Sequence, residues 1–137
     1  MSEISKKTIA LSILEDEATG NLSSALSKLH PDYLMTWMYQ GKTTFPRETF
    51  KNLDEGKEIY EIKGRKYDIK NIAETENVVF IELVESYPDP KTKKVYRTPL
   101  VLVLEFQNSK IRRGRHYCDP KISHLHLTEN RIKKAME

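Results

Sequence analysis

The stretch KIRRGRHYCDP, residues 110–120, concentrates groups that can do chemistry. It holds three arginines, a histidine, a tyrosine, an aspartate and the single cysteine of the chain. A neutral imidazole can take or give a proton near neutral pH. Guanidinium groups fit phosphates and carboxylates. Cysteine beside histidine can make a nucleophile or part of a metal site. On a strand, Ile111, Arg113, Arg115 and Tyr117 would lie on one side, with Arg112, Gly114, His116 and Cys118 on the other. The arginines then share no single face. No glycine-rich RNA motif or helix-turn-helix spacing accompanies them, which argues against a nucleic-acid strip. A polar strand face turned toward a partner subunit suits them better. His116 and Cys118 do share a face, but same-face neighbours along a strand rarely reach hydrogen-bond distance, so a Cys–His dyad is disfavoured. Asp119, before Pro120, suits either a local hydrogen bond at the strand end or a catalytic carboxylate.

A second group lies just downstream. His124 and His126 would share one face of an extended segment, with Glu129 following, and imidazole with carboxylate can hold a divalent ion. The histidine and glycine motifs of a cupin metal site are absent. Solvent-exposed histidines are the plainer reading, and no metal or other cofactor is expected.

The elements that must place these groups follow from periodicity. Ile4, Leu11, Leu14 and Ala18 share a helical face, and Gly20-Asn21 ends that helix and starts another. Leu22, Ala25, Leu26 and Leu29 continue at helical spacing before His30-Pro31 breaks it. DYLMTWMYQG, residues 32–41, alternates and is rich in aromatics, so it reads as a strand. Pro46 can start a third helix, PRETFKNLDEG, with Phe50 and Leu53 inward. Strands follow near 58–73, 77–87, 95–107 and 110–118. Residues 88–94 and 107–110 form the hairpin connections. A last short helix is capped by Thr128. Helices first and an antiparallel meander after them make an α+β domain.

Composition sets the outer bounds. One domain, residues 1–137, accounts for the length. Apolar residues make up 38% and charged residues 31%, enough for one core. The net charge of +3 is mild for a nucleic-acid binder. One cysteine allows no internal disulfide. The first residues lack a signal-peptide core, and LVLVL at 100–104 is too short to span a bilayer. A cytoplasmic protein with no membrane partner is expected.

Three stretches carry a resemblance. HPDYLMTWMYQG, FPRETFKNL and above all NSKIRRGRHYCDP are similar to segments of the nuclear transport factor 2-like superfamily, in its branch of SnoaL-like polyketide cyclases and limonene epoxide hydrolases. The last resembles that branch's "dGkIvxWRDYFDp" ending. The likeness covers residues 4–125. It implies a cone: a strongly bent antiparallel sheet wrapped around three N-terminal helices, with a cavity inside and a homodimer formed through the open sheet face.

The resemblance also implies a site. Gly114 stands where that branch has a cavity-facing Trp, and His116 where it has a cavity-facing Asp, so the pocket would widen at Gly114. Arg115, Tyr117 and Asp119 match the other motif positions. Glu85 and Tyr87 match an Arg and an Asp placed two residues apart, and Met35 and Trp37 match lining positions. With residues 108–109 as the turn, Val101 would oppose His116 and Val103 would oppose Gly114. Arg97 would then share the inward face and pair with Glu85. His116, Asp119 and Glu85 are thus the candidate catalytic residues. Met35, Trp37, Tyr87, Arg97, Val101, Gly114 and Cys118 are the candidate ligand contacts. The implied ligand is a small apolar or carbonyl-bearing molecule. The implied activity is that of a cofactor-independent isomerase, cyclase or hydrolase, with His116 as base or polariser. The alternative is a non-catalytic ligand-binding or dimerisation module of the same fold.

Overall fold

The structure is a computed structural model, and it describes residues 4–50, 52, 54 and 64–137. Helix α1 (Lys6–Thr19) starts at Ser5, whose hydroxyl accepts from the Thr8 N–H, and stops at Gly20, which takes the left-handed φ of 80°. Its buried face is Ala10, Ile13 and Leu14, not the expected Ile4, Leu11, Leu14 and Ala18. Both sets obey helical spacing, and contact with the sheet decides between them. Helix α2 (Leu22–Ser27) follows at once and buries Leu22 and Ala25. Lys28 reaches back to Asp16 at 2.7 Å and ties the end of α2 to α1.

Strand β1 (Leu29–Trp37) begins three residues earlier than expected. Its Pro31 lacks an N–H, and it falls where the pairing with β6 (Lys110–Tyr117) is irregular, between Leu29 and Leu34. Strand β2 (Arg47–Glu48) pairs with β1 and occupies the start of the expected third helix. Phe50 is buried as anticipated, while Leu53 and most of that segment lie outside the described residues. Strands β4 (Val78–Pro88) and β5 (Val95–Gln107) fall near their expected places, while β3 (Lys66–Glu74) starts eight residues later than the expected 58–73, whose positions 58–63 lie outside the described residues. The short helix α3 (Pro120–Ser123) and the Thr128-capped helix α4 (Glu129–Ala135) complete the order.

The six strands run β2-β1-β6-β5-β4-β3. Four of the five pairings are antiparallel, but β1 and β6 are parallel, so the sheet is mixed rather than purely antiparallel. The hairpin signals in the sequence speak only for strands adjacent along the chain, and β1 meets β6 from far away. Two bulges interrupt the antiparallel ladders. Lys70 is the extra residue on β3 and Arg112 the extra residue on β6. Bulges bend a strand and raise its twist. The last hairpin turns through Asn108 and Ser109, both at positive φ, as a two-residue connection requires.

The helices α1 and α2 pack on the inner face of this open α+β sheet. Ala10, Ile13 and Leu14 meet Val79, Ile81 and Leu83 of β4 and Leu100, Leu102 and Leu104 of β5 in one core. No helix among the described residues is long and apolar enough to cross a membrane.

Candidate functional site

A cavity of about 380 Å³ opens between α1 and the inner face of the sheet. Its floor is aliphatic: Ile13, Leu14, Leu29, Leu100, Leu102, Leu104 and Ile111. Its remaining wall is aromatic and polar, with Tyr33, Trp37, Tyr39, Tyr67, Tyr87, His116, Glu17, Glu48, Glu85 and Arg65. An apolar body with a few convergent polar groups is the usual make-up of a small-molecule site.

His116 sits on β6 opposite Trp37 of β1 in the parallel ladder, and their ring centroids are 4.0 Å apart. The histidine is 5% exposed, and among the described residues its Nδ1 has no hydrogen-bond partner. Burial lowers its pKa to about 4, because desolvation penalises the charged ring. It is therefore neutral at pH 7. Trp37 also meets Tyr39 edge-on at 6.2 Å.

Three acids, Glu17, Glu48 and Glu85, and one base, Arg65, form the polar wall. Glu48, opposite Met35 in the β1–β2 ladder, has a raised pKa. Burial is the main cause and Glu85 adds to it, while a hydrogen bond with the Trp37 side chain and the charge of Arg65 pull the other way. Glu85 accepts from the Arg65 guanidinium at 2.8 Å, and that guanidinium lies 4.9 Å from the centre of the Tyr87 ring. Nearby, the Tyr67 hydroxyl donates to Glu17 at 3.0 Å. The phenols of Tyr33 and Tyr67 are pushed up first by burial and then by Glu17. Cys118 also lines the cavity, and burial first, then Glu85 and Asp119, raise its thiol to about 11. It is a thiol at neutral pH, not a nucleophilic thiolate.

The structure brings Met35, Trp37, Glu85, Tyr87, His116 and Cys118 together on this wall. It places four other candidates elsewhere. Val101 pairs with Tyr117, and Leu102 is the residue opposite His116. The Arg112 bulge shifts the ladder by one, so Val101 faces outward. The same bulge turns Ile111 inward, against simple alternation. Arg97 faces outward too. It donates to the Leu127 carbonyl at 2.8 Å and lies 4.0 Å from Glu129, so Glu85 pairs with Arg65 and not with Arg97. Gly114 does not widen the cavity. A Cβ there would meet the Met35 Cε at 2.7 Å, so Met35 already fills the space. Asp119 caps α3, accepting from the Lys121 N–H at 3.0 Å, outside the cavity wall.

The histidines of the possible metal group flank a ring instead. His124 and His126 lie 5.9 and 4.7 Å from Tyr96, and His126 takes a positive φ of 49° that breaks the expected extended segment. Among the described residues no three His, Cys, Asp or Glu side chains gather for a metal.

Sequence reasoning missed Glu48, Arg65, Glu17, Tyr33 and Tyr67. Glu48 was hidden by the Pro46 helix signal. The other four gain their place only through tertiary packing.

The His116 burial predicts a pH dependence. Between about pH 6.5 and 4 the unfolded imidazole binds a proton that the folded one refuses. Stability from this group is therefore complete above pH 6.5 and falls as pH drops through that window. Urea denaturation at pH 7 and pH 5 should show wild type losing about 2 kcal/mol more than the His116→Gln variant. Equal losses would contradict the burial.

No family model and no curated protein matches the chain. Solved structures do match in fold. One from Shewanella putrefaciens, provisionally assigned as a SnoaL-like polyketide cyclase, aligns with a TM-score of 0.73 at 11% identity, over 91% of this chain and 97% of the other. IdmH from Streptomyces antibioticus, provisionally assigned as a polyketide cyclase, aligns at 0.69 and 10%, over 90% and 98%. A Catenulispora acidiphila protein with a ketosteroid isomerase-like fold, solved with trimethylamine, aligns at 0.71 and 13%, over 86% and 90%. The six-stranded mixed sheet, the helices on its inner face and these alignments together show that the chain has the nuclear transport factor 2-like fold.

Proposed function

We propose that the chain binds a small, mostly apolar, carbonyl-bearing molecule in this cavity and moves a proton on it without a cofactor. The observation that carries this reading is the buried His116, whose Nδ1 has no partner among the described residues, on the wall of an aliphatic-floored cavity of about 380 Å³. An orphaned buried nitrogen costs free energy unless a ligand or water satisfies it. The neutral imidazole can donate to a carbonyl oxygen and polarise it. Glu48, whose carboxyl burial pushes up, suits the proton acceptor. In that step the Glu48 carboxylate takes a proton from the carbon next to the carbonyl. The C–H electron pair moves into a C=C bond, and charge collects on the oxygen that His116 faces. If a C=C bond is conjugated with the enolate, Glu48 can return the proton to the remote carbon and isomerise the ligand; if the ligand carries a second carbonyl, the enolate carbon attacks it, its C=O π pair becomes an alkoxide, and that alkoxide takes the proton back from Glu48, closing a ring. The fold shared with proteins provisionally assigned as polyketide cyclases supports this class of chemistry.

The test uses cyclohexylacetone in D2O. Proton NMR should show deuterium entering the carbons beside the carbonyl faster than in buffer, and His116→Gln should slow this about tenfold, the worth of one hydrogen bond. Exchange no faster than in buffer, with saturable binding retained, would leave the non-catalytic binding module as the function.

We also propose that the outward sheet face pairs with a second copy of the chain. Phe80 and Tyr117, 39% and 42% exposed, lie on the outward face of β4 and β6 on either side of β5, where Tyr117 pairs with Val101 and Phe80 with the buried Val103. Contiguous exposed apolar surface of this kind marks interfaces. Light scattering should give twice the 16.0 kDa monomer mass, and Val101→Glu should return it to the monomer. A wild-type monomer at high concentration would remove the proposal.

A further inference from the structure

Gly114 is buried in β6, and it lies beneath the described cavity wall rather than on it. The side chain of Met35 covers it. Met35 is opposite Gly114 in the parallel β1–β6 ladder and itself lines the cavity. A Cβ built on Gly114 would come within 2.7 Å of the Met35 Cε, 2.9 Å of its Sδ and 3.4 Å of the Leu104 Cδ2. The end of the methionine therefore rests over bare backbone, in space that a side chain at 114 would have taken. Leu104, opposite Gly114 on β5, lines the cavity beside it. A methionine side chain is unbranched, with three rotatable bonds, and fills an irregular gap without a rigid shape of its own. Its place in the ladder matters. Trp37 and His116 form the next inward pair, two residues along, which is about 7 Å on a strand.

We infer that Met35 is the plug that sets how long an apolar chain the cavity accepts, so that the site takes carbonyl compounds with a chain of bounded length. This narrows the substrate class for the cavity proposed above and rests on the binding part of that reading, not on the proton transfer. With the carbonyl at His116, the chain runs along the aliphatic floor toward Leu104 until it meets the Met35 Sδ and Cε. Each CH2 group buried before that point adds affinity, and any beyond it must displace the thioether or stay in water. Shortening the side chain at 35 therefore deepens the cavity. Adding a methyl at 114 pushes the end of Met35 toward the cavity, its open side, and makes the cavity shallower.

The test titrates the straight-chain methyl ketones from 2-pentanone to 2-decanone by isothermal titration calorimetry at pH 7.5. In wild type the affinity should rise about fourfold per added CH2 group and then stop rising at a chain length within the series. Met35→Val keeps a strand-forming side chain but removes the Sδ and Cε, and it should move that limit about two carbons further. Gly114→Ala should bring the limit about one carbon nearer, and in the double variant this shortening should vanish, because the atoms that the new methyl pushes are gone. The position of the limit within each protein is read, so a general loss of stability or affinity does not mimic the result. Should Met35→Val fail to fold, Gly114→Ala against wild type decides. A limit at the same chain length in every folded protein, or a wild-type affinity that climbs through 2-decanone, would overturn the plug and leave the pocket standing. No saturable heat from any ketone with wild type would overturn the pocket itself.

Discussion

The parallel pairing of β1 with β6 is the constraint on which the cavity depends. It joins the strand that follows the helices to the last strand of the meander, and it sets Trp37 opposite His116. Once the two rings meet at 4.0 Å, the imidazole is walled off from water and loses its affinity for a proton. Glu48 is drawn into the same wall because β2 pairs with β1, and its contact with Trp37 makes the indole a common element for acid and imidazole. A defect in this one pairing would therefore disturb both candidate groups together.

The Arg112 bulge is the second determinant, because it fixes which side chains face in. With it, Ile111, His116 and Cys118 all point into the cavity, although simple alternation would separate the first from the other two. Without it, Val101 rather than Leu102 would oppose His116. The bulge thus trades a regular ladder for an aliphatic floor beneath a polar wall. In the proposed ligand-binding reading, the floor takes the apolar body and the wall meets the polar end.

Much of the fold was legible. Hydrophobic runs and the Asn108-Ser109 turn placed β5 and β6 to within a residue, and Gly20 marked the end of α1. Local signals were enough there because the chemistry of a turn or a cap is local. Site residues on β1 and β4 were also legible, since period-two alternation puts Met35 with Trp37 and Glu85 with Tyr87. What failed was non-local. Nothing in the sequence announces that β1 runs parallel to β6, that an extra residue sits at Arg112, or that Arg65 rather than Arg97 meets Glu85. Pro46 signalled a helix start, but Arg47 and Glu48 pair with β1 instead; most of the rest of that expected helix lies outside the described residues.

The central claim is that a neutral, buried imidazole stands against Trp37 on the wall of a cavity. Nitrogen-15 NMR of His116 across a pH titration tests it most directly. The ring should stay neutral through pH 5 and take its proton only near about 4. Protonation near the ordinary value of about 6.5 would show a solvated histidine and contradict the site as described.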